Sequence, residues 1–256
     1  AGPAVKQFWK QEFGRLPARF ACPYALQTTS HLPTIVSCSS HVFPSPSDWP
    51  EHVYNTGYWF MDEEAGWQPP SDLLDFLQRG APPVYVGFGS VGDPETAAQT
   101  TRLVIEALEL AGQRGVLATG WQGMTRTEDL PEEILILESA PHAWLFPRMA
   151  AVVHHGGAGT TAAGLCAGVP QVVIPYGNDQ FAWGRRVYEL GVAARPIPRK
   201  RLSAETLAEA IRYALKPEIY SAAAGLGGKI QGENGAERAA QVIIDAHALG
   251  LREFGE

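Results

Sequence analysis

The sequence predicts an α/β fold, a doubly wound parallel sheet with helices on both faces. Two observations carry this. From Ser71 onward, short apolar runs of strand length alternate with amphipathic helical patterns at the spacing of βαβ units. At two of the strand ends, glycine-rich or polar loops open directly into helices, which is where open parallel sheets place their ligands.

Taken in order, Asp72 to Arg79 reads as a short helix stopped by Gly80, and Val84 to Phe88 as a fully buried strand. Asp93 suits the cap of a long helix, with Pro94 at its first position and Leu103, Ile105, Ala107, Leu108 and Leu110 as its apolar residues. Strands follow at Gly115 to Thr119 and Ile134 to Leu137. Next come a strand at Ala151 to His154 with its helix to Ala167, and a strand at Gln171 to Ile174 with a helix from Phe181 to Leu190. A further strand is expected at Val192 to Arg195, and helices from Ser203 onward. Before Ser71 the pattern is irregular. Lys6 to Pro70 is rich in Pro, Ser and aromatic residues, with strand-like pieces only at Thr34 to Cys38 and His52 to Thr56. Residues 1–70 therefore read as a linker and the tail of another domain, and residues 71–256 as one ligand-binding domain.

The 256 residues suffice for a sizeable core, and 45% hydrophobic with 18% charged residues is a globular composition. A net charge of -7 without a basic stripe argues against nucleic acid or an anionic membrane as partner. Cys22, Cys38 and Cys166 lie far apart in unrelated contexts, which supports neither a disulfide framework nor a zinc site and fits a reducing, cytoplasmic compartment. No apolar run reaches membrane-span length, and the N-terminus lacks signal-peptide order.

The chemistry concentrates between Ser139 and Gln180. Gly156 and Gly157 follow the Ala151 strand, and helix-compatible small residues follow them. Free backbone N–H groups at such a helix start can hold phosphate oxygens, with about 0.3 to 1 kcal/mol from the helix dipole. The same glycines would serve any tight strand-to-helix turn. The next strand releases Gly177, Asn178, Asp179 and Gln180 at the same sheet edge, so two polar loops converge on one crevice. His154 and His155 are adjacent at a strand end and point to opposite faces, so they cannot ligate one metal together. Thr160 and Thr161 suit a helix start as well as a phosphate. Asp179 suits a helix cap, and its carboxylate offers a ligand an acceptor-only partner.

The runs VYVGFGS at Val84 to Ser90, APHAWLFPRMAAVVHHGGAGTT at Ala140 to Thr161 and PYGNDQF at Pro175 to Phe181, with DWPEHVYNTGYWF before them, are similar to the C-terminal half of a GT-B UDP-glycosyltransferase. The resemblance is greatest to the sterol glucosyltransferase type and spans about four-fifths of the chain. It implies a Rossmann-like donor-binding domain from residue 71, after a linker and the tail of an N-terminal acceptor domain. It implies inverting transfer of a sugar, glucose, from UDP to a sterol or similar lipid hydroxyl, with no metal and no cofactor. The absence of an Asp-X-Asp motif agrees.

By that resemblance His155 bonds the donor phosphate, Gly157, Ala158, Gly159 and Thr160 supply helix-start groups around it, and Ser90 reaches the same phosphates. Asp179 and Gln180 bind sugar hydroxyls, and Ala140 and His142 face uracil. Gly89, Trp121, Ser139 and Thr161 are outer candidates. No catalytic residue is expected within the chain, because the base and the acceptor pocket belong to the N-terminal half, joined in cis or in trans. The implied partners are a UDP-sugar and a lipid or other small hydroxyl acceptor, with a peripheral membrane location where that acceptor is a lipid. Two departures stand out: Ala163 occupies a position where many members carry a ribose-binding glutamate, and Ser139 one where many plant members carry a tryptophan against uracil. A natural-product glycosyltransferase, a non-catalytic UDP-sugar binding module and a subunit of a split enzyme remain alternatives.

Overall fold

The computed structural model describes residues 3–15, 33–60, 66–89, 96–119 and 130–253. Its packing divides the chain into two units, residues 1–59 with 234–256, and residues 60–233. The first contains helix α1 (Pro3–Phe13) and two short strands, β1 (Thr34–Val36) and β2 (Val53–Asn55), paired in parallel with Thr34 opposite Val53. Helix α1 lies in a stretch that reads as irregular from sequence. Pro3 suits a first helical turn, and Trp9 meets Phe13 one turn later with ring centroids 4.7 Å apart.

The second unit holds the sheet. Helix α2 (Ser71–Gln78) buries Leu73 and Phe76 and leads into β3 (Val84–Gly87), all four residues of which are buried. Helix α3 (Ala97–Ala111) starts after Thr96, with Asp93 and Pro94 outside the described residues. It buries Ala97, Thr101, Val104, Ala107 and Leu108, whereas Leu110, expected on the apolar face, is 50% exposed one residue past that stripe. Gly112, at φ 66°, closes the helix in the left-handed conformation. Strands β4 (Gly115–Ala118) and β5 (Ile134–Leu137) precede the short helix α4 (His142–Leu145) and a 3-10 turn at Phe146–Arg148. Strand β6 (Ala151–His154), helix α5 (Ala158–Cys166), strand β7 (Gln171–Val173) and helix α6 (Gln180–Glu189) follow in close succession.

The strand expected at Val192 to Arg195 is reduced to a bridge between Ala193 and Gln171. Pro196 and Pro198 lie just beyond it and donate no backbone hydrogen bond, so the ladder does not extend. Helix α7 (Ala204–Ala214) opens with a capping box between Ser203 and Thr206, and α8 (Pro217–Gln231) takes Pro217 at its start. Helix α9 (Gly235–Glu253) belongs to the first unit, where a Cβ at Gly235 would collide with the backbone of Gly57 and Tyr58.

The five strands are parallel in the order β5-β4-β3-β6-β7. Val84, Val86, Phe88, Leu117, Val153 and Val172 face Val104 and Leu108 of α3 and Leu207 and Ile211 of α7. On the opposite face Tyr85, Val116, Leu137 and Val152 meet Leu73 and Phe76 of α2 and Leu145 and Phe146 after β5. Burial on both faces is why these strands are almost wholly apolar, the buried polar exceptions being His154 and Gln171. The chain runs outward from β3 through β4 to β5, then returns past β3 to place β6 on its other side. The order therefore reverses between β3 and β6, and a crevice opens at their C-terminal ends.

Candidate functional site

Strand β6 ends in two consecutive histidines, His154 within the strand and His155 just after it. His154 is fully buried, with Nε2 2.7 Å from Gln171 Oε1 and Nδ1 accepting from the Gly156 N–H at 3.1 Å. Those partners require the neutral tautomer protonated at Nε2. Burial drives its pKa down to about 3, and the Gln171 bond opposes this only in part. Gln171 Nε2 in turn donates to Thr161 O at 3.3 Å, so His154 ties the turn, β7 and α5 together. The His155 ring lies 6.5 Å from that of His154 at 82° and is half-buried. Its Nδ1 is buried and has no hydrogen-bond partner among the described residues. Burial holds its pKa below the ordinary histidine value, against the pull of the Asp179 carboxylate.

The two glycines after His155 act for different reasons. Gly156 has φ 90°, and a Cβ there would come within 2.7 Å of Val173 Cγ1 and 3.0 Å of Gln180 O. Gly157 has an ordinary φ of -62°, but a Cβ would stand 2.5 Å from His155 Nε2. Gly157 thus lets the imidazole lie across the start of α5. Among the described residues no side chain caps this helix, which leaves the first-turn N–H groups of Ala158, Gly159 and Thr160 to water or a ligand. Ala158 and Gly159 are exposed and Thr160 is half-buried. Thr161 is turned inward: its hydroxyl donates to Gly157 O at 2.9 Å and the residue is fully buried, so it shapes the helix start without facing the crevice.

The loop after β7 supplies the second wall. Asp179 holds the cap position of α6 without making a cap bond, and its Oδ2 instead accepts from Trp183 Nε1 at 3.1 Å. Gln180 Oε1 accepts from the N–H groups of Tyr176 and Gly177, at 2.8 and 3.2 Å, which fastens the loop and leaves its Nε2 to donate outward. Trp183, which holds Asp179, was not singled out by the sequence reading. Its only sequence signal is the spacing of four from Asp179.

The third wall follows β5. Ser139 is exposed, Ala140 packs against the core, and His142 stacks on Phe146 with ring centroids 4.3 Å apart. Burial, aided by the nearby His155, lowers the His142 pKa. Gly89, at φ 61°, lies against His155, where a Cβ would stand 3.3 Å from Cε1. Ser90 and Trp121 lie outside the described residues. The basic run at Arg199, which reads as a solvated loop, is a 3-10 turn; the Arg199 guanidinium stacks 4.7 Å over the Tyr176 ring and donates to Thr96 Oγ1 at 3.1 Å. Arg185 and Arg186 pair with Glu189.

Three loops, after β5, β6 and β7, therefore meet around a neutral imidazole and an uncapped helix start. The arrangement can accept an anion at α5 and polyhydroxyl groups at Asp179 and Gln180. Among the described residues no three His, Cys, Asp or Glu side chains are grouped to hold a metal.

The family described as erythromycin biosynthesis protein CIII-like, C-terminal domain, matches residues 106–246, more than half of the chain. The chain belongs to this family. As a CIII-like C-terminal domain it is 42% identical over 234 residues to a sterol 3-beta-glucosyltransferase of Arabidopsis thaliana, covering 90% of this chain and 37% of that protein. It is 40% identical over 212 residues to O-mycaminosyltylonolide 6-deoxyallosyltransferase of Streptomyces fradiae, covering 82% and 49% of the two. The CIII-like domain thus spans between about a third and a half of these two curated glycosyltransferases. Its fold is that of GT-B glycosyltransferases: the crystal structure of the kitacinnamycin glycotransferase superposes with a TM-score of 0.73 at 22% identity, covering 95% of this chain and 61% of that one.

Proposed function

We propose that this chain is the donor-binding part of an inverting glycosyltransferase that moves glucose from UDP to a sterol or similar lipid hydroxyl. The observation that carries the proposal is the uncapped N-terminus of α5 at the β3/β6 reversal, overlain by a neutral His155. The helix-start N–H groups and His155 hold the diphosphate, and they stabilise the negative charge that grows on it as the sugar departs. Asp179 accepts from sugar hydroxyls while Trp183 fixes its other oxygen. Ala140 and His142 stand at the base end of the crevice. The acceptor pocket and the base that deprotonates the acceptor hydroxyl lie in the part of the enzyme beyond this chain.

The curated names favour a sterol acceptor, and the Streptomyces relative supports a natural-product acceptor as the second reading. Two measurements test the proposal. Calorimetry of the chain with UDP-glucose should give saturable binding, and the same chain incubated with UDP-glucose and a sterol should give no sustained glycosylation. Transfer should appear when an acceptor half is supplied, and screening sterols against macrolides then separates the two readings. Sustained transfer by the chain alone contradicts the division of labour.

A further inference from the structure

Tyr85 is 6% exposed in the middle of β3, packed in the apolar cluster beneath the sheet with ring contacts to Phe146 at 5.0 Å and His142 at 6.0 Å between centroids, and among the described residues none makes a hydrogen bond to its hydroxyl, which is not among the fully buried polar atoms. A phenol whose ring is buried ordinarily finds a hydrogen-bond partner for its hydroxyl, from protein, water or a ligand. Burial pushes the Tyr85 pKa up to about 12, so at neutral pH the hydroxyl is a donor.

Where that hydroxyl lies is set by Gly87. The two residues share one face of the sheet, and a Cβ at Gly87 would collide with Tyr85 Oη, so the glycine lets the phenol extend along the strand to its C-terminal end. Gly87 is in register with His154, from which the turn into α5 springs. The Tyr85 ring also meets His142, edge-on with centroids 6.0 Å apart. The hydroxyl therefore lies between the α5 start and the His142 wall. In a nucleoside diphosphate the group that links phosphates to base is the ribose. Ala163 of α5, which packs against the same cluster as Tyr85, brings only a methyl group there.

We infer that Tyr85 Oη donates a hydrogen bond to a ribose hydroxyl of the donor nucleotide. The inference rests on the proposed function, since it takes the α5 start as the phosphate end and the loop after β5 as the base end.

Tyr85→Phe tests it, because the ring contacts stay and only the hydroxyl goes. UDP, 2′-deoxy-UDP and 3′-deoxy-UDP are titrated calorimetrically into both forms, and Tm is measured without ligand. The expected result is an apo Tm that is unchanged or higher, since no internal bond is lost, with UDP binding weakened about 5- to 20-fold. One deoxynucleotide should bind the wild type with a similar loss, and Tyr85→Phe should no longer distinguish it from UDP. Undiminished UDP affinity in Tyr85→Phe, unaltered discrimination against both deoxynucleotides, or a lowered apo Tm overturns the inference and leaves the donor reading standing. A wild-type chain that binds none of the three overturns both.

Discussion

Asp179 and Gln180 are neighbours with different freedoms. Gln180 has committed its carbonyl oxygen to the loop's own N–H groups, whereas Asp179 gives Oδ2 to Trp183, and under the proposed function its Oδ1 would accept from a sugar hydroxyl. A hydroxyl bond to a carboxylate contributes about 1.5 to 3 kcal/mol. Asp179→Ala should therefore weaken UDP-glucose by about tenfold or more and UDP by little, and Trp183→Phe should produce a smaller loss of the same sugar-specific kind. Equal losses for both ligands by calorimetry would remove Asp179 from sugar binding. At this scale the sequence was legible where strand alternation decides: His154 is fully buried while His155 is half-buried, their rings 6.5 Å apart at 82°, as expected of neighbours that face opposite ways. It was not legible where a side chain meets a partner that spacing does not announce. The Trp183 bond to Asp179 and the stacking of Arg199 on Tyr176 arise from rotamers and loop paths that appear only once β7 and the residues after it are in place.

The β6–α5 turn is the element that makes the site, and its two glycines separate folding from binding. At Gly156 the positive φ and the approach to Val173 and the Gln180 carbonyl act together, so Gly156→Ala should cost about 1 to 3 kcal/mol in urea denaturation. At Gly157 the backbone is ordinary and the only obstacle is the His155 ring. Gly157→Ala should leave the denaturation midpoint nearly unchanged and still weaken UDP about tenfold by displacing the imidazole, an expectation that a parallel loss of stability and affinity would contradict. Strands buried on both faces were readable as apolar runs, and β3 to β7 fall within a residue or so of the expected bounds. Elements with little burial signal were not. Helix α1 is short and begins at a proline, and the Val192 segment has strand composition but is cut off by two prolines.

For the molecule as a whole, packing assigns residues 234–256 to the N-terminal unit, a grouping that no local pattern reveals because it depends on contacts such as Gly235 against Tyr58, far apart in sequence. Stability should also carry the mark of His154. The unfolded chain protonates this imidazole below its ordinary value of 6.5, while the folded chain keeps it neutral down to about 3. The unfolded state thus binds the extra proton, and stability falls as pH drops from 6.5 toward 3, by up to about 1.4 kcal/mol per pH unit from this group. His142 and His155, also lowered by burial, act in the same direction. Urea midpoints should decline between pH 7 and pH 5, before carboxylates titrate, and a flat profile there would contradict a neutral buried His154. The central claim is that the α5 start and His155 hold the diphosphate of a sugar donor. Calorimetric titration of UDP and uridine into the wild type and His155→Ala tests it most directly. The account predicts that UDP binds the wild type far more tightly than uridine, and that His155→Ala loses about 1.5 to 3 kcal/mol for UDP and almost none for uridine. Equal affinity of the wild type for UDP and uridine, or an unchanged UDP affinity in His155→Ala, would contradict it.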